Sequence, residues 1–316
     1  MDFHIPYPDN MITKQYNALT LGQIYTFPAI GNLNGYKTAY KQNTPLKLPY
    51  NFIYDNALVG IEIELENYLN PIDVETFWEI KTDGSLRNNG IEFVSHPLRT
   101  RFIPYALQYL CDELFKENNP IFSNRTSVHI HLNVRDFSKE RLKIFLLLYC
   151  IFEKHFFNVA GTKRENNIFC VPLYKTEQPI NLKYFDNAVK HWNKYNALNL
   201  ACILGSAEES IKKYGTVEFR HLYGTLDPII LYPWIDSILH LRQASLDWKL
   251  KDLEEVLINL NTTSEYYAIY KKTFKARCLN FRLITQHDFE SCILHTKLNY
   301  FSENNLINSP ESNQIV

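Results

Sequence analysis

No segment of this 316-residue chain is apolar for long enough to cross a bilayer. The longest such run, Ile144 to Phe152, has nine residues, less than half of the ~20 that a membrane helix needs. The opening residues Met1-Asp2-Phe3-His4 show no basic stretch leading into an apolar one, so no secretory signal is expected. Neither sign of charge is in excess: Lys and Arg total 33 against 34 Asp and Glu, a net charge of -1. That removes the field that draws basic proteins to nucleic acid or anionic lipid. Paired cysteines are missing as well. The six, at 111, 150, 170, 202, 278 and 292, form no CxxC and sit in apolar segments, the usage of free thiols in a reducing cytosol. Neither GxxxxGK[ST] nor GxGxxG occurs, so a Walker-type or Rossmann nucleotide site is not available. What is present, 46% hydrophobic and 21% charged residues, is enough to bury a sizeable core. These absences fit a cytoplasmic protein with no membrane or nucleic-acid partner.

Residues 1–50 are rich in Tyr, Pro and Asn without a sustained period, and read as an irregular arm. Residues 51–300 read as one domain of short strands and helices, and 301–316 as a flexible tail. Ser138 is placed to cap a helix through Arg141, Phe145, Leu148 and Phe152 to about Asn158. Asp227-Pro228 starts another, which is expected to restart at Pro233. Asp252 to Leu260 and Ser264 to Arg277 also carry helical spacing.

Four short segments carry the chemistry. In Ala57 to Glu66, Ile61, Ile63 and Leu65 share one strand face while Glu62, Glu64 and Glu66 share the other. Asn89 to His96 sets Ile91 and Phe93 against Glu92. Ser127 to Val134 sets Val128, Ile130, Leu132 and Val134 against His129, His131 and Asn133. Gly215 to His221 sets Val217 and Phe219 against Thr216, Glu218 and Arg220. A solvated sheet face carries Lys, Thr, Ser and Gln, whereas these faces offer mainly Glu, His and one Arg. Glu62 and Glu64 stand about 7 Å apart along a strand, and like charges so placed repel unless a cation lies between them. Several Glu with a His suit a hard divalent cation. The His129-x-His131 pair alone is compatible with zinc, but no Cys or third His has the spacing of a closed zinc site.

Gly60-Ile61-Glu62-Ile63-Glu64, Lys81-Thr82-Asp83-Gly84-Ser85, Gly90-Ile91-Glu92-Phe93-Val94-Ser95, His129-Ile130-His131, Lys194 to Asn199 and Gly215 to Arg220 occur in the order seen in the amidoligases. The chain from about Leu58 to Ser245 resembles this family of glutamine synthetase-like carboxylate-amine ligases, many of them phage-encoded. The resemblance implies an α+β fold, a curved antiparallel β-sheet with helices on the convex face and with ATP and two or more Mg2+ or Mn2+ ions on the concave one. It implies that Glu62, His129 and Glu218 hold the metal between the ATP phosphates. Glu64 and Glu92 would hold the metal near the acceptor carboxylate, with Glu66 or Asp83 as the third member. His131 would lie near the phosphates or the substrate carboxylate, and Arg220 would meet the phosphoryl group in flight. Lys194 and Asn199 would hold nucleotide or substrate, and Asp83 or Glu66 would take the proton of the attacking ammonium.

The implied reaction joins a small-molecule or peptide carboxylate to an amine through an acyl phosphate. A phosphotransferase of guanidino-kinase type on the same superfold, an inactive metal-binding structural or virion protein, and a zinc hydrolase built on His129 and His131 are the competing classes. Read alone, Asp83-Gly84-Ser85 is a turn, Lys194, Tyr195 and Asn199 are packing or capping residues, and Arg164 to Asn167 is equally a surface loop or a substrate contact.

Overall fold

The computed structural model describes residues 19–25, 27, 52, 57–176, 178, 180–205, 213–274 and 285–305. Most of the expected arm, and the tail beyond 305, lie outside the described residues. Among the described residues seven strands form a single antiparallel sheet: β1 (Leu58–Leu65), β2 (Trp78–Thr82), β3 (Ile91–Ser95), β4 (Leu98–Arg99), β5 (Ser127–Asn133), β6 (Leu198–Asn199) and β7 (Thr216–Tyr223). Their order is β2-β3-β1-β5-β7-β6, with β4 paired to the start of β1. The four expected strands are β1, β3, β5 and β7. β2 and β6 extend the sheet at its two sides.

The helices are α1 (Leu21–Ile24), α2 (Ile103–Glu117), α3 (Lys139–Ala160), α4 (Thr162–Glu165), α5 (Phe185–Lys190), α6 (Ala201–Leu204), α7 (Pro228–Asp247), α8 (Leu250–Asn259), α9 (Thr263–Phe274) and α10 (Gln286–Asn305). Alternation decides which sheet face they cover. Ile61, Ile63, Leu65, Phe93, Ile130, Leu132, Val217 and Phe219 point to one side and are wholly buried. The longest helix lies against them. Ser138 caps α3 by accepting from the Arg141 N–H at 3.1 Å. The rings of Phe145, Tyr149 and Phe156 lie 5.7–6.1 Å from Phe219, each burying about 1.5–3 kcal/mol of apolar side chain. Trp234 of α7 sits 5.5 Å from Phe156, and Phe274 of α9 sits 5.0 Å from Phe152, so a second helical layer closes over the first.

α7 begins as expected, with Asp227 accepting from the Ile229 N–H at 2.9 Å and Pro228 at the first position. The expected restart at Pro233 does not occur. The helix runs through it unbroken, because Trp234, Ile235 and Ile238 are wholly buried and their packing outweighs one missing backbone bond. Positions 301–305 of the expected tail continue α10.

One irregularity shapes the site. Val128 pairs with Leu222 and Ile130 with Phe219, so two steps on β5 match three on β7, a β-bulge. Arg220 stays on the polar face, while His221 turns into the core. There its Nε2 lies 2.7 Å from the Tyr149 hydroxyl, which donates to Glu153 at 2.7 Å. Arg164 of α4, itself buried, donates to the carbonyls of His221 at 2.9 Å and Arg220 at 2.7 Å.

Candidate metal centre

The register of the sheet determines which polar side chains meet. Glu62 lies opposite His129, Glu64 opposite Glu92, His131 opposite both Gly60 and Glu218, and Asn199 opposite Glu218. Gly60 is small for a reason: a Cβ there would stand 3.3 Å from that of His131. His129 is the hub. Its Nδ1 lies 3.2 Å from Glu62 and 3.3 Å from Glu218. Its Nε2 lies 2.8 Å from the Ser127 hydroxyl and 3.9 Å from Glu64. Two groups result, Glu62–His129–Glu218 and Glu64–Glu92–His129. In each, one possible ligand atom from every member lies within 4.8 Å of the others.

The two groups bring together the side chains that the resemblance pairs, with one difference. Among the described residues, the third member beside Glu64 and Glu92 is His129, neither Glu66 nor Asp83. Glu66 accepts from the Arg87 N–H at 2.9 Å, and Asp83 accepts from the Ser85 N–H at 2.7 Å. Asp83 therefore is a turn-former, as its motif read alone suggests, although its charge still reaches Glu92. Asn199 belongs to the cluster, donating to Glu218 at 2.7 Å. Arg220 contacts the other Glu218 oxygen and donates its Nε to the Phe169 carbonyl at 3.3 Å. Lys194 does not join them. It is exposed, with its ammonium 5.2 Å from the Tyr195 ring centre.

Three residues given no role in the sequence reading also contribute. Ser127 donates through backbone and hydroxyl to Glu64 at 2.8 and 2.6 Å. Thr216 lies 3.0 Å from His131 Nδ1. Cys202 donates to Glu218 at 3.4 Å. Thr216 was already on the charged face by alternation, and extending the alternation to the start of β5 would have added Ser127; Cys202 carries no such signal.

Burial disfavours charge on Glu62, Glu92 and Glu218, and their neighbours decide the outcome. For Glu92, burial and then the negative charges of Glu62, Glu64 and Asp83 push the carboxyl up to about 9. A divalent cation between Glu64 and Glu92 would displace that proton. Burial pushes Glu62 up too, but the His131 charge and the hydrogen bonds from His129 and His131 outweigh it and hold Glu62 well below the usual carboxylate range. His131 is held well above the usual imidazole range, since the pull of Glu62 and the contact with Cys202 exceed the cost of burial. Glu218 is buried as well, and Arg220 ahead of His131 keeps its carboxyl low.

A cavity lies at each end of the central strands. One, of about 240 Å3, reaches Glu62, His131 and Thr216 and is walled by Lys81, Arg135 and Tyr214. The other, of about 770 Å3, lies at the opposite ends of β5 and β7 beside Thr126, Arg164 and Tyr223. No model of a known protein family matches the chain, and no curated protein is significantly similar to it. No helix among the described residues is long and apolar enough to cross a membrane.

Proposed function

We propose that the protein is an ATP- and Mg2+-dependent ligase that joins a carboxylate to an amine through an acyl phosphate. The observation that carries this reading is the pair of acid-rich ligand groups meeting at His129. The donor set fits the ions. Each group offers two carboxylates and one imidazole, which suits a hard divalent cation, and neither contains the thiolate or second imidazole of a closed zinc site. The smaller cavity, which reaches Glu62 and His131, gives a substrate an approach to the cluster. The same reading takes the sheet as the curved platform of a glutamine synthetase-like enzyme.

When bound, Mg2+ neutralises phosphate oxygens and lets phosphoryl transfer proceed without covalent help from the protein. Glu62, Glu218 and His129 would hold one ion, and Glu64 and Glu92 another. Arg220 supplies fixed positive charge beside Glu218, where charge develops on the transferred group. The substrate carboxylate attacks the terminal phosphorus and ADP leaves. The amine then attacks the acyl carbon, phosphate leaves, and the proton lost from nitrogen goes to a carboxylate, for which Asp83, whose charge reaches Glu92, is the candidate. His131, held by Glu62 and Thr216, borders the smaller cavity and orients what enters there.

The reading is tested by melting curves in Mg2+ and ATP, combined with mass spectrometry of products from mixed acids and amines. At 100 times the dissociation constant the ligand adds about 2.7 kcal/mol, a rise of several degrees that Glu62→Gln should abolish. Products should be ADP, phosphate and an amide. A phosphorylated amine would assign the guanidino-kinase chemistry instead, and no shift at millimolar Mg-ATP would remove the nucleotide from the site.

A further inference from the structure

The larger cavity, of about 770 Å3, contains none of the metal-group side chains. Among the described residues its charged members are Lys163 and Arg164, both cationic, and no Asp or Glu lines it. The acids close by are engaged elsewhere. Glu165 is held by Lys154 at 2.5 Å and by the Tyr174 hydroxyl, and Asp227, whose charge reaches Tyr223, caps α7. Arg164 is the unusual member. It is buried and donates to two neutral carbonyls, those of Arg220 and His221. Among the described residues no carboxylate pairs with it, and Glu64 acts on it only through space. A buried cation without a partner costs stability, which an anion in the cavity would offset.

The hydrogen-bonding capacity of the walls is as one-sided as their charge. The carbonyls of Ser123, Thr126, Gly161 and Arg164 already accept from backbone N–H groups. The side-chain oxygen of Asn166 accepts from Lys175 at 3.3 Å, and that of Asn167 from the Phe169 N–H at 2.9 Å. Donors remain over: the exposed Lys163 ammonium, the Asn167 amide nitrogen and the Ser123 hydroxyl, whose oxygen accepts from the Arg125 N–H at 3.1 Å. Asn124 and Tyr223 can serve either way. Water could meet donors alone. Two cations with no acid beside them favour an acceptor that is also negative, by a margin that grows as water is excluded. Phe122, Ile168 and Tyr223 line the same space, with Ile168 73% exposed, so an apolar body on that acceptor would cover surface otherwise left to solvent.

We propose that this cavity binds a small organic anion, its oxyanion head against Lys163 in the field of Arg164 and its apolar body against Phe122, Ile168 and Tyr223. The site stands on its own geometry and does not rest on the ligase reading.

Saturation-transfer NMR on the full chain, without added metal or nucleotide, tests this with phenylacetate as the probe. Phenylacetamide and phenethylamine carry the same ring with a neutral and a cationic head. Phenylacetate should bind about tenfold or more tightly than the amide, the difference expected of one charge-assisted contact, and the amine should receive no saturation. Lys163→Glu alters an exposed side chain that has no bonding partner among the described residues, so the fold is kept, and it should raise the phenylacetate Kd by about the same factor. Lys251→Glu makes the same change of charge on the exposed surface of α8 and should leave binding as it is. Equal affinity for phenylacetate and phenylacetamide, an unchanged Kd in Lys163→Glu, or an equal loss in Lys251→Glu overturns the proposal.

Discussion

Arg220 is the residue whose two roles are separable. It contacts Glu218 in a buried setting, so Arg220→Ala is expected to lower stability by leaving that carboxylate without its cation. Loss of turnover in the alanine variant alone would therefore say little. Arg220→Lys keeps the charge but not the planar donor fork. We expect this variant to melt near the wild-type temperature and to release ADP about 100-fold more slowly, the loss typical of a donor that acts on developing charge. ADP release with the acid and amine that yield product, measured beside the melt, gives the answer. Full turnover in the lysine variant would confine Arg220 to neutralising Glu218.

At the level of elements, the bulge in β7 exposes a dependence on α4. The carbonyls of Arg220 and His221 both accept from Arg164, which is 4% exposed. Arg164→Met would leave two buried acceptors unpaired, a loss of about 2 kcal/mol or more. Chemical denaturation should show the midpoint falling without a change of slope, and an unchanged midpoint would mean that water replaces the guanidinium. The bulge also marks where the sequence stops being legible. Strict alternation from Glu218 and Arg220 assigns Leu222 to the polar face, yet the extra residue returns it to the core opposite Val128. β1, β3 and β5 were readable because five or more residues alternate in each. β6 was not, because two residues have no period, and neither was α10, whose buried Phe289, Ile293 and Tyr300 are diluted by polar neighbours. Strand parity places the members of both ligand groups on one face. That His129 serves both groups follows from register, which no single strand encodes.

Across the whole molecule, the helical side of the sheet carries a titrating group of its own. Burial pushes Glu153 up to about 7, against hydrogen bonds from the Leu173 and Tyr174 N–H groups and the Tyr149 hydroxyl. Between the ordinary value of 4.5 and about 7, the folded chain retains a proton that the unfolded chain has released. Stability from this group is thus full below 4.5 and is lost as pH rises through 7, by about 3 kcal/mol at 1.36 kcal/mol per unit. Glu153→Gln, though less stable overall, should show a flatter melting temperature between pH 5 and pH 8. Equal slopes in the two proteins would show that Glu153 does not set the dependence. On the other side of the sheet, the sharing of His129 imposes an order. A neutral imidazole has one lone pair and one N–H, and here Nδ1 faces Glu62 and Glu218 while Nε2 faces Ser127 and Glu64. The ring can coordinate on one side only and must donate on the other. Whichever ion claims it leaves the second with two carboxylates, an incomplete shell for a cation that takes six or more oxygens. On the proposed function, the ion held without the ring would draw more of its oxygens from water or substrate and would be the weaker bound of the two.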